Sequence, residues 1–265
     1  MKNIVLSFDD SRGDFYTNVF TLLKKYQVPA TLNVVTDFIE NPEHYHFISA
    51  GNKAMTIAQV QECAQSGLVE IASHGHTHKN TGQDILDSIA VLEQWGGVIN
   101  GKIGFASPGS KTFYANRSDK GVWQLVQQGT LSYVRTGINS RREGKVFAAL
   151  RGLDSMIHSK HLFCYLNKRT IINHPKEPFL LSTTIHSYTR LRQIAYFIEK
   201  MPDGAAAILM FHSVLKKGEA GYGADQFYYN YDQFEDLLKS LSTNNSVRVL
   251  TTMEYVSEHF AEKNK

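Results

Sequence analysis

Cysteine is nearly missing from this 265-residue chain, which has two, Cys63 and Cys164. They allow one disulfide at most and neither stands in a C-x-x-C spacing, which argues against a disulfide-stapled secreted domain. There is no Pro/Ser-rich linker, no low-complexity tract and no internal repeat, so a single domain over residues 1–265 is the simplest organisation. Charge of one sign is lacking too: 28 Lys+Arg face 25 Asp+Glu. A nucleic-acid partner would call for a basic face, whereas Arg141-Arg142 and Lys216-Lys217 are isolated pairs. No stretch approaches the ~20 apolar residues of a membrane span. The leading apolar run ends at Asp9-Asp10, too early for a signal-peptide core, so the expected location is cytoplasmic.

What the chain does have is enough apolar residues, 42%, for a sizeable core. Short β-branched runs alternate with segments of helical period. Asn3–Phe8, Ala30–Thr36, Leu68–Ser73, Lys102–Phe105, Leu131–Val134, Ala205–Phe211 and Val247–Leu250 read as strands. Asp14–Gln27, Thr56–Gln65, Asp84–Trp95, Lys120–Gln128, Arg190–Lys200 and Tyr231–Leu241 read as helices. Such alternation predicts a parallel α/β fold, barrel or open sheet, and periodicity does not separate the two. The least regular stretch, Gly137–Pro178, reads as an excursion over the barrel mouth.

Functional groups of parallel α/β folds gather where strands end. Here Asp9-Asp10 follows the first strand, His74-Gly75-His76-Thr77-His78 the third, Ser107-Pro108-Gly109 the fourth, Arg135-Thr136-Gly137 the fifth, and His212-Ser213 the apolar strand near the C-terminus. Asp9-Asp10 has two readings: an Asx-type turn or helix cap, or two carboxylates pointing apart, one on a metal and one free as a base. His74-x-x-x-His78 lets two imidazoles reach one cation, with His76 a surface or supporting group. Two His and one Asp form an N₂O set with positions left for water and substrate. His212, ending a buried strand among these groups, is a candidate acid.

The ordered set Ser-Phe-Asp-Asp-Ser (7–11), Glu-Ile-Ala-Ser-His-Gly-His-Thr-His (70–78), Phe-Ala-Ser-Pro-Gly (105–109) and Leu-Met-Phe-His (209–212) resembles the polysaccharide deacetylases, the NodB-homology group or carbohydrate esterase family 4. The resemblance runs from residue 4 to about residue 255. It implies a distorted (β/α)7 barrel binding zinc or another divalent transition metal. It implies Asp9 as general base, Asp10, His74 and His78 as metal ligands, and His212 as general acid, with an oxyanion held by the metal and a backbone N–H after Phe105. Two positions depart from the family pattern: Ser11 replaces a usual Gly, and Ala106 stands where an Arg commonly pairs with the catalytic Asp. Tyr133-Val134-Arg135-Thr136-Gly137 resembles a variant arrangement in which Arg135 supplies that guanidinium.

The function expected from this set is removal of an N-acetyl group from an amino sugar, as a cytoplasmic precursor of a surface polysaccharide. The alternatives are hydrolysis of another small amide or N-formyl group, and a decayed sugar-binding protein on the same fold. The expected partner is an N-acetylated sugar or glycan, with no nucleic acid and no membrane span. The sequence leaves open the metal, the sugar, the oligomeric state and whether His76, His158, His161 or His186 enters the site. The aromatic stretch Gly221–Tyr231 has two readings, a sugar-stacking loop or a loop packed on the barrel.

Overall fold

A computed structural model describes residues 1–44, 53–96, 103–110, 120–138, 144–173 and 177–260. Seven parallel strands form a closed ring: β1 (Lys2–Phe8), β2 (Ala30–Val34), β3 (Val69–Ser73), β4 (Ile103–Ala106), β5 (Leu131–Gly137), β6 (Phe179–Thr184) and β7 (Ala206–Phe211). The ring shuts where β1 runs beside β7, from Asn3↔Ala206 to Phe8↔Phe211. Two short strands, β8 (Ser213–Leu215) and β9 (Tyr228–Asn230), pair with each other above the ring. The last strand, β10 (Val247–Leu250), pairs with Lys2–Val5 of β1, while β2 takes Ser7 and Phe8. That forked edge gives the barrel its distortion.

Strands covered on both faces need apolar residues on both, which is why β1 and β7 read as continuous hydrophobic runs. The pleat sends Leu6, Phe8, Leu32, Phe105, Val134, Leu209 and Phe211 outward into one large cluster beneath the helices. It sends Val5, Ala72, Tyr133, Leu180, Ala206 and Ile208 inward, where Leu250, Tyr255 and Val256 join them. The helix Thr252–Phe260 thereby seals the end of the barrel where the strands begin. Within that end Glu70 accepts from the hydroxyls of Tyr133 (2.6 Å) and Thr31 (2.9 Å) and the N–H of Met253 (2.8 Å). Gly104 must lack a side chain, since a Cβ there would overlap the Tyr133 ring.

The strand–helix alternation expected from the sequence is present, with three differences. The ring contains β6, unforeseen because its Ser182-Thr183-Thr184 ending reads as a loop. Two of its hydroxyls are satisfied inside the fold: Ser182 donates to the Thr136 carbonyl at 3.1 Å and Thr183 bonds Thr170. Val247–Leu250 lies outside the ring, on the edge of β1. β5 continues past Val134 to Gly137 because β6 pairs with it over Val134–Gly137. The excursion between β5 and β6 holds two helices, Lys145–Ile157 and Lys160–Asn167, the second capped by Ser159. No helix among the described residues is long and apolar enough to cross a membrane.

Candidate metal centre and acid–base site

Strand register puts the sequence candidates on one level. The Asp9 N–H donates to Phe211 C=O at 3.0 Å, so Asp9 and His212 leave neighbouring strands side by side. His74 N–H donates to Val34 C=O at 2.8 Å, and its ring Nδ1 lies 2.7 Å from Ala106 C=O. A carbonyl there requires Nδ1–H to donate, which turns the lone pair of Nε2 toward the barrel mouth. Nε2 of His74 lies 3.5 Å and Nε2 of His78 3.6 Å from Oδ1 of Asp10. One donor atom from each of the three lies within 4.8 Å of the others. The donor set, spacing and fixed tautomer fit a divalent transition metal such as zinc.

Asp10 is divided between its two oxygens. Oδ2 accepts from Arg12 Nη2 at 2.8 Å and Nε at 3.3 Å, while Oδ1 faces the imidazoles. Arg12 is fixed in turn by Ser213 Oγ at 3.2 Å. Asp9 is divided in the same way. Its Oδ1 accepts from Arg135 Nη2 and from Asn33 Nδ2 (2.8 Å), and Oδ2 is turned toward His74 Nε2, 3.8 Å away. Arg135 also points Nη1 at Met210 Sδ, 2.8 Å off, and is 1% exposed. It stands inside β5, facing the barrel interior, and is not a surface charge at a strand end. Ala106 is its register partner on β4, so the small residue leaves room for a guanidinium arriving from the next strand.

The turn that aims these carboxylates is strained. Asp10 (φ 74°), Ser11 (φ 53°) and His78 (φ 58°) all occupy the left-handed region without being glycine. Ser11 is held there by the Val35 N–H on its Oγ (2.9 Å) and the Met55 N–H on its carbonyl (2.9 Å). The His74–His78 loop is tied by Asp84, which accepts from Thr77 N–H (3.0 Å), Thr77 Oγ1 (2.6 Å) and Lys79 N–H (3.0 Å). His76 supports it from outside, its Nδ1 2.8 Å from Thr36 Oγ1.

Charge follows from this packing. Burial pushes the Asp9 carboxyl up, but Arg135, His74 and His212 outweigh it and hold Asp9 below the usual carboxylate range. Burial likewise opposes ionisation of Asp10, and the bond to His74 with the charge of Arg12 brings it well below that range. His74 is desolvated, yet Asp9 and Asp10 raise it above the ordinary imidazole value. Burial, with His74 adding repulsion, drives His78 down to about 4. Burial also lowers His212, against the pull of Asp10 and Asp9. Its Nδ1 is buried with no hydrogen-bond partner among the described residues, and its ring packs 4.9 Å from that of Phe227.

All six candidates line one cavity of about 810 Å³ at the barrel mouth. His186, left open by the sequence, is in its wall; His161 instead bonds Tyr196 (2.9 Å) and His158 lies near Arg190 (3.4 Å). The aromatic stretch divides. Tyr229 is buried in the core cluster and Phe227 lines the cavity. Ser107 N–H donates to Arg135 C=O at 2.7 Å, so it is not the oxyanion donor sought after Phe105. Arg12, Asn33 and Asp84 belong to the site as well, and their signals in the sequence are faint: an Arg two residues past a candidate ligand and an Asn inside an apolar strand.

Fold and site together define a parallel (β/α)7 barrel with a candidate metal centre and a buried carboxylate beside it at the mouth. Residues 1–127 match the polysaccharide deacetylase family. That stretch carries Asp9, Asp10, His74 and His78, while Arg135 and His212 lie beyond it. The chain is 38% identical over 79 residues to the poly-β-1,6-N-acetyl-D-glucosamine N-deacetylase of Escherichia coli K12, covering 28% of this chain and 12% of that protein. It is 29% identical over 79 residues to the protein of the same name from Staphylococcus aureus MRSA252, covering 30% and 26%. It thus spans between about an eighth and a quarter of these relatives.

Among solved structures, a candidate polysaccharide deacetylase from Mycobacterium smegmatis superposes with a TM-score of 0.61 at 12% identity, over 99% of this chain and 91% of that one. A family 4 acetyl xylan esterase from Clostridium thermocellum, in complex with a cobalt ion, gives 0.50 at 16% identity, over 97% and 90%. A 4-α-glucanotransferase from Thermococcus litoralis gives 0.54 at 10%, so the barrel alone does not carry the activity.

Proposed function

We propose that the protein is a metal-dependent hydrolase that removes the N-acetyl group from an amino sugar. The observation that carries this reading is the division of two adjacent buried carboxylates. Asp10 turns one oxygen to two imidazoles, and Asp9 keeps one oxygen beside the same centre with no ion-pair partner on it other than His74 among the described residues. Asp10, His74 and His78 would hold a divalent cation, which would supply Lewis acidity at the amide carbonyl and acidify a water.

The chain's own residues supply the proton chemistry. Arg135 and Asn33 fix Asp9 through Oδ1 and keep it ionised, so Oδ2 takes the proton of the attacking water. His212, lining the same cavity, gives a proton to the leaving nitrogen, and acetate departs. Arg12 restricts Asp10 to one free oxygen.

The names of the relatives point to β-1,6-linked N-acetylglucosamine, and the sequence reading points to a cytoplasmic precursor of such a polymer. The deciding experiment is metal analysis together with acetate release from oligomeric and carrier-linked N-acetylglucosamine, for the native protein and Asp9→Asn. About one metal per chain in both proteins, with acetate released by the native protein and at least 10³-fold less by the variant, is the expected result. Equal release by both removes the base, and formate in place of acetate moves the activity to another amide.

A further inference from the structure

The helix Lys145–Ile157, in the excursion between β5 and β6, has two unlike sides. On one of them Ala148, Arg151, Gly152 and Ser155 line the wall of the cavity. At ~100° per residue, Val146, Ala149, Leu150, Leu153, Met156 and Ile157 fall within a stripe about 120° wide on the other. Such a stripe is the pattern of a helix facing a core, yet this one faces out. Val146 is 71% exposed, Met156 77%, Ile157 51% and Leu153 44%. With Tyr165 on the neighbouring helix Lys160–Asn167, five of the nine large apolar side chains exposed among the described residues belong to this helix pair. The exposed apolar surface is concentrated here rather than scattered.

The surroundings of the stripe carry one sign of charge. Residues 145–170 hold Lys145, Arg151, Lys160, Lys168 and Arg169 against one carboxylate, Asp154. Asp154 is buried and turned to the Gln193 amide (3.2 and 3.3 Å), so the helix pair presents no exposed carboxylate. Lys168 lies over the Tyr165 ring at 4.6 Å and Arg169 over the Phe147 ring at 5.4 Å, and those two rings stack 6.4 Å apart. Lys145, Lys168 and Arg169 make no salt bridge among the described residues. A second copy docked about a two-fold axis would bring rims of like sign together. A bilayer with anionic headgroups meets both demands: acyl chains take the stripe, and long cationic stems reach the phosphates.

We propose that this helix lies in the plane of an anionic phospholipid surface, with the stripe inserted among the headgroups and Lys145, Lys168 and Arg169 on the phosphates. Its 13 residues are too few to cross a bilayer, so this is attachment and not a span. Because the cavity wall is the reverse side of the same helix, attachment sets the barrel mouth beside the membrane, within reach of a lipid-borne glycan. The attachment itself does not depend on the deacetylase reading.

The test is co-sedimentation of the native protein with vesicles of phosphatidylglycerol mixed into phosphatidylcholine and with vesicles of phosphatidylcholine alone, alongside Leu153→Ser/Met156→Ser and Lys168→Gln/Arg169→Gln. Circular dichroism and the thermal midpoint, both expected unchanged at these exposed positions, show that the variants fold. The native protein should partition at least about tenfold more strongly onto the anionic vesicles, and raised salt should weaken it. The serine pair should lower that partitioning by about tenfold or more, and the glutamine pair by about tenfold. Equal partitioning onto both kinds of vesicle, none onto either, or no loss in the serine pair would overturn the attachment. A concentration-dependent dimer in sedimentation equilibrium, abolished in the serine pair while vesicles go unbound, would overturn it in favour of a second copy. Acetate release from a soluble sugar, unchanged in either variant, leaves the deacetylase reading standing whichever way the vesicles decide.

Discussion

Replacing Arg135 by Met removes the charge that offsets Asp9 while nearly preserving volume. Asp9 is 4% exposed and would keep the Asn33 amide as a donor to Oδ1. Breaking a buried ion pair from one side costs ~3–5 kcal/mol, because the remaining charge stays desolvated. The pKa route gives a similar size. Losing an adjacent opposite charge raises a carboxyl by ~1–3 units, at 1.36 kcal/mol each.

The sign with pH follows. In the native protein Asp9 is depressed, so its stabilisation is present above the unfolded value and lost as pH falls through the folded one. In Arg135→Met burial dominates and the carboxyl rises, so its ionisation opposes folding at high pH and the penalty fades on acidification. Urea unfolding of chelator-treated protein at pH 8 and pH 5 should show a deficit of ~3–5 kcal/mol at the higher pH and clearly less at the lower. The acid limb of kcat/KM should move upward with it. A deficit below ~1 kcal/mol at pH 8, or an unmoved acid limb, would refute the claim that Arg135 holds Asp9 ionised.

Three further outcomes are expected. Asp84→Ala unties Thr77 and Lys79 from the His78 loop, and a competition titration with a chelating dye should show metal affinity reduced ~10–100-fold with the fold intact. Metal affinity should fall by about tenfold per pH unit once acidification passes the raised pKa of His74, because one proton must leave its Nε2, whereas His78 stays neutral down to about 4; an affinity flat from pH 8 to pH 5 would contradict this. Gly104→Ala drives a methyl into Tyr133 and should cost ~1–3 kcal/mol or more in thermal unfolding, and clearly less when it is introduced into Tyr133→Ala than into the native protein.

The parts of the molecule legible in the sequence are those where local pattern and tertiary role agree. β1 and β7 are apolar on both faces and are followed at once by Asp9 and His212, so both strand and site are legible in short windows. The His74 and His78 pair lies within one loop, and its spacing carries its meaning. β6 is hidden because its second half, Ser182-Thr183-Thr184, carries hydroxyls on both faces and locally resembles a turn. Arg12 and Asn33 were hidden for another reason. Their role is to occupy the second oxygens of Asp10 and Asp9, and nothing in a one-dimensional pattern shows which oxygen a donor reaches. Arg135 is legible through the family resemblance, and its inward orientation follows from its standing two residues after Tyr133 on β5.

The forked edge of β1 bears on how the protein comes into being. Asp9 and Asp10 are synthesised well before the two strands that complete the one aiming them, β7 on one side and β10 on the other. Arg12 meets its anchoring hydroxyl on Ser213, 201 residues later. Long-range parallel pairing of this kind is the slow part of folding. A nascent chain, or one truncated before β7, would therefore hold the His74–His78 pair with its aspartate not yet aimed at it. The centre would acquire its cation as a closing event of folding, so metal captured in cells would report finished barrels and not synthesis in progress.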